Sequence, residues 1–102
     1  MIGLSRERRL WRRLDRIRIE LASTRDEIAV LEAQLAELHV DDEQAAIRAL
    51  VSENMADKRE ARTAKGHADA MATHIARLRT RAAKLEGLAE QTVAALAGEA
   101  RL

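Results

Sequence analysis

Apolar residues fall alternately four and three apart over two long stretches of this chain. The first stretch runs Leu10, Leu14, Ile17, Leu21, Thr24, Ile28, Leu31, Leu35 and Leu38. The second runs Met71, Ile75, Leu78, Ala82, Leu85, Ala89, Thr92 and Leu96. That spacing gathers side chains on one narrow stripe of an α-helix, a stripe that leaves water by packing on another helix. The pattern predicts an all-α, coiled-coil-like protein: one helical domain over residues 1–102, folded as a long antiparallel hairpin.

The helix boundaries follow from where the two registers meet. Ser5 is a candidate N-cap for helix 1, expected over about residues 5–39. Carrying its register past Leu38 places Asp42, Ala45 and Ala49 on the stripe, a poor seam. Traced backwards from Met71, the second register gives Ala68, Ala64, Ala61, Asp57, Asn54, Leu50 and Ile47, shifted by one residue from the first. A turn is therefore predicted at 40–42, with Asp41 and Gln44 as a capping-box variant. Helix 2 is predicted over about 42–97, stopped by Gly98.

Facing residues then have numbers adding up to about 81, which sets Leu35 near Ile47, Leu31 near Leu50 and Leu21 near Ala61. Large residues meet small ones, which lets two helices approach closely. At 1.5 Å per residue helix 1 would be roughly 50 Å long and helix 2 roughly 85 Å. The overhang beyond residue 75 would leave an apolar stripe in water, which a second copy would cover. A homodimer with an interface at Met71, Ile75, Leu78, Leu85, Leu88, Val93 and Leu96 is the expectation. The rival is a three-helix bundle that bends at Gly66.

Composition agrees with thin seams rather than a broad core. Of 102 residues, 34% are charged, and Trp11 stands alone where Phe and Tyr are absent. There is no proline to interrupt a long helix and no cysteine for disulfides or thiolate metal sites. No apolar run approaches the roughly 20 residues that span a bilayer. Met1 to Leu4 is too short for a signal-peptide core. A cytoplasmic protein is expected.

The net charge of +1 conceals strong segregation. Residues 1–19 hold seven arginines against Glu7 and Asp15, and residues 20–44 hold eight acids against Arg25. Positive charge in the first turns of a helix opposes its macrodipole, so the cluster does not serve helix 1 locally. Arg8, Arg9, Arg12, Arg13 and Arg16, with Trp11 beside the seam, are the candidate contacts for a partner protein or an anion. Pairing with acids of another helix, such as Glu86, Glu90 and Glu99, is the simpler use. The near-neutral total and the lack of further stacking aromatics place nucleic acid behind protein.

Other candidates are weaker. His39, His67 and His74 do not assemble a metal site, because zinc needs its ligands within about 2 Å of one ion. Asp41, Asp42 and Glu43 would project from the turn, where they cap helix 2 and favour its dipole. No glycine-rich phosphate loop or cysteine nucleophile is present, and a two-helix seam offers no sizeable pocket. No enzyme activity, catalytic residue, metal or cofactor is expected.

Two short segments resemble known families. Val51-Ser52-Glu53-Asn54 resembles the acidic tip of Gre-type transcript-cleavage factors, whose N-terminal domain is a helical hairpin. Leu50 stands here where that family has an Asp, and the segment falls inside the expected helix 2. Arg8–Leu21 resembles a helix of small hairpin anti-sigma factors that respond to cyclic di-GMP, without the Ser and Gln at the ligand-contacting spacing. Each covers at most about a seventh of the chain, and no family is assigned.

The expected function is a non-enzymatic protein–protein interaction, scaffolding or adaptor module that works as an oligomer. One alternative is a transcription regulator whose hairpin lies on RNA polymerase or a sigma factor. Another is nucleic-acid binding through the arginine cluster.

Overall fold

The computed structural model describes residues 2–100. They form two α-helices, α1 over Ile2–Val51 and α2 over Met55–Ala100, with no strand among the described residues. The helices run antiparallel, so the hairpin architecture is the one the heptad spacing implies. The chain divides into two compact units. One, the terminal pair, joins residues 2–26 to 79–100; the other, the turn pair, spans Glu27–Leu78.

The turn is not at 40–42. It is Ser52-Glu53-Asn54, and the acids Asp41, Asp42 and Glu43 sit within α1. Its hydrogen bonds explain the placement. The Ser52 N–H donates to the Arg48 carbonyl at 3.0 Å, the last helical bond of α1. The Asn54 N–H donates to Ser52 Oγ at 3.1 Å, and Asn54 Oδ1 accepts from the Ala56 N–H at 2.9 Å. Asn54 is thus the N-cap of α2, with Asp57 three residues on as the acid of its first turn. The segment that resembles the acidic Gre-type tip does lie at the turn, with Glu53 as its one carboxylate.

Moving the turn changes the register. Across the pairs Arg6–Glu99, Arg25–Glu86, Arg48–Glu60, Glu27–His74 and Glu20–Arg81 the residue numbers add up to between 101 and 111, not about 81. Ile47 and Leu50, expected on the seam, are 61% and 86% exposed. The first register instead continues straight through Asp42, Ala45 and Ala49, all buried or half-buried. A seam of alanines suffices there because alanines also line α2 opposite, at Ala61, Ala64 and Ala68, and small residues let helix axes approach.

In the terminal pair the seam is deeper. Leu14, Ile17 and Leu21 of α1 and Ala82, Leu85 and Leu96 of α2 are buried. Thr24 and Thr92 join them at 6% and 3% exposure. Each hydroxyl donates to the carbonyl four residues earlier, Thr24 to Glu20 at 2.8 Å and Thr92 to Leu88 at 2.7 Å. With that donor satisfied locally, a threonine presents its methyl to the seam much as a valine does.

The helix ends also depart from expectation. Ser5 lies inside α1, which begins at Ile2, and α2 runs through Gly98 to Ala100. Gly66 interrupts nothing: α2 is helical on both sides of it, so the three-helix alternative is not adopted.

Candidate interaction surface

The residues assigned to an oligomer interface are mostly used within the chain. Ile75, Leu85 and Leu96 are buried, Met71, Leu78 and Leu88 are half-buried, and Val93 is 46% exposed. Because α1 extends to Val51, residues 79–100 of α2 lie in one compact unit with residues 2–26 of α1. The uncovered overhang from which a homodimer was inferred does not exist.

The arginine cluster behaves differently. Arg6 donates from Nε to Glu99 Oε1 at 2.8 Å. Arg8, Arg9, Arg12, Arg13, Arg16 and Arg18 are all exposed and form no ion pair among the described residues. Of the acids expected to neutralise the cluster, Glu99 takes Arg6 and Glu86 takes Arg25 at 2.7 Å, while Glu90 takes none of them.

Helical geometry packs these cations together. Arg8, Arg12 and Arg16 are successively four apart, as are Arg9 and Arg13, so five guanidiniums share about 12 Å of helix. Like charges at that spacing destabilise a helix by about 0.2–0.5 kcal/mol per pair. Two open clefts separate the arginine arms. One of about 470 Å3 is lined by Arg6, Arg9, Leu10, Arg12, Arg13 and Arg16. The other, of about 280 Å3, is lined by Leu4, Ser5, Arg8, Arg9 and Arg12. Every wall belongs to α1, so these are gaps between flexible side chains rather than a cavity between helices.

Apolar groups lie next to the cations. Trp11 is 48% exposed and Leu4 53%, both on α1 within the terminal pair. Leu4 and Trp11 are seven apart, two turns along one face of α1, where the arginines of the outward face adjoin them.

The histidines remain scattered. His74 Nε2 lies 3.7 Å from Glu27 Oε1, and His39 and His67 are exposed. Among the described residues no group of three His, Cys, Asp or Glu side chains is placed to hold a metal ion, and no helix is long and apolar enough to cross a membrane. Comparison with protein-family models, with curated proteins and with solved structures finds no match.

Proposed function

We propose that this chain is a non-enzymatic interaction module that takes an acidic partner protein on the arginine face of α1. One observation carries the reading: six neighbouring arginines are left without an acidic partner at spacings where they repel one another. Charges that do not serve the fold are available to a ligand. Trp11 adds the second ingredient, since Trp and Arg are the residue types that dominate binding hot spots. Carboxylates of the partner would accept from Arg8, Arg12 and Arg16, and an apolar recess would take the indole. The surrounding charge would steer encounter and set orientation.

The same free guanidiniums favour a second reading, contact with the phosphates of a nucleic acid. A photo-crosslinking aromatic residue in place of Trp11, with and without Arg8→Glu, Arg12→Glu and Arg16→Glu, separates the two. A protease-sensitive adduct in cells that disappears in the triple variant supports protein contact. A nuclease-sensitive adduct establishes the second reading, and the absence of any arginine-dependent adduct rejects both.

A further inference from the structure

Within the turn pair, α1 carries a second apolar stripe on the side away from α2. Ala29, Ala33, Ala36, Val40, Ile47 and Leu50 keep four-three spacing, interrupted once by Glu43. At 100° per residue this stripe lies about 150° around the helix from the inner seam. All six residues are exposed, Val40 at 52%, Ile47 at 61% and Leu50 at 86%, and Val30 beside them is 57% exposed. The outward face of α2 in the same unit has no large apolar residue, being built from exposed Arg59, Thr63, Gly66, Ala70 and Thr73.

Charge says what kind of helix fits. Residues 27–51 hold six acids against Arg48. Glu37, Asp41 and Glu43, exposed on or beside the stripe, form no ion pair among the described residues. A second copy laid on this face would bring the same carboxylates against one another, and an anionic membrane surface would be repelled. A helix with its own four-three apolar stripe and flanking Lys or Arg would satisfy both features at once.

We infer that the outer face of α1 over residues 29–50 is a docking site for a basic amphipathic helix of another protein. This surface is separate from the arginine face, lies in the other compact unit and has the opposite charge. The alanines allow close approach of the incoming helix, Val40, Ile47 and Leu50 supply apolar contact, and the free acids select its charge.

The test uses the full chain and two fluorescent 21-residue helical peptides with leucines at four-three spacing, one flanked by lysines and one by glutamates. Fluorescence anisotropy should show the lysine peptide binding, weakening with added salt, and losing at least tenfold in affinity on V40K/I47K. The glutamate peptide, measured on the R8Q/R12Q/R16Q chain so that the arginine face does not take it, should not bind. E37K/D41K/E43K, which keeps the apolar stripe, should reverse that preference. R8Q/R12Q/R16Q should leave binding unchanged, which separates this site from the arginine face. Failure of the lysine peptide to bind, equal binding of both peptides to the R8Q/R12Q/R16Q chain, or indifference to V40K/I47K overturns the inference. So does a wild-type dimer in light scattering that V40K/I47K converts to monomer, because a second copy would then own the face.

Discussion

Arg48 and Glu60, twelve residues apart in the chain, meet across the turn with Nη2 3.1 Å from Oε1. On one continuous helix those positions would be about 18 Å apart, so the pair distinguishes a turn at 52–54 from one at 40–42. The bond itself contributes little, since both side chains are about half exposed and ion pairs of that kind are worth about 0–1 kcal/mol.

The cap of α2 carries more. Asn54→Ala removes the acceptor of the Ala56 N–H and should lower stability by about 1 kcal/mol in urea denaturation. Asp41→Ala, at the cap expected from the sequence, should change it by less than about 0.5 kcal/mol, because Asp41 is exposed in mid-helix.

Helix content and the inner spacing over residues 10–38 and 71–96 were legible in the sequence because large apolar residues recur there at unbroken four-three spacing. The turn was not. Asp41 with Gln44 reads as the cap of helix 2, which places Asn54 and Asp57 on its seam, and no glycine or proline marks either position. The decision rested on judging Asp42, Ala45 and Ala49 too weak for a seam. That judgement treated one helix alone; against Ala61 and Ala64 the same residues pack as small on small. The outer stripe was not legible because a turn at 40–42 puts Val40 in the loop and Ile47 and Leu50 on the inner seam of helix 2.

Seam residues should separate sharply from those the expected register put in their place. Leu14→Ala, at 1% exposure, should cost about 2–5 kcal/mol, whereas Leu50→Ala, at 86%, should fall within about 0.5 kcal/mol of the parent. Equilibrium unfolding of both variants checks the difference.

The two seam threonines offer a finer check. Because each hydroxyl bonds only its own helix, Thr24→Val and Thr92→Val should be neutral or slightly stabilising. Thr→Ser at either position removes the methyl and should cost about 0.8 kcal/mol.

Gly66 lies on the outer side of α2, and a Cβ built there has no atom within 4 Å. Gly66→Ala should therefore stabilise the protein by about 0.5–1 kcal/mol through helix propensity. A loss of stability would mean that the chain uses Gly66 as a bend.

Thermal unfolding of Arg8→Gln/Arg12→Gln/Arg16→Gln, followed by circular dichroism at low and high salt, addresses the arginine face without knowledge of its partner. If these cations are held for a ligand, removing them relieves like-charge repulsion. Stability should then rise by about 0.3–1 kcal/mol, most at low salt. A fall in stability at either salt concentration would mean that the arginines serve the fold, and the proposed binding surface would be wrong.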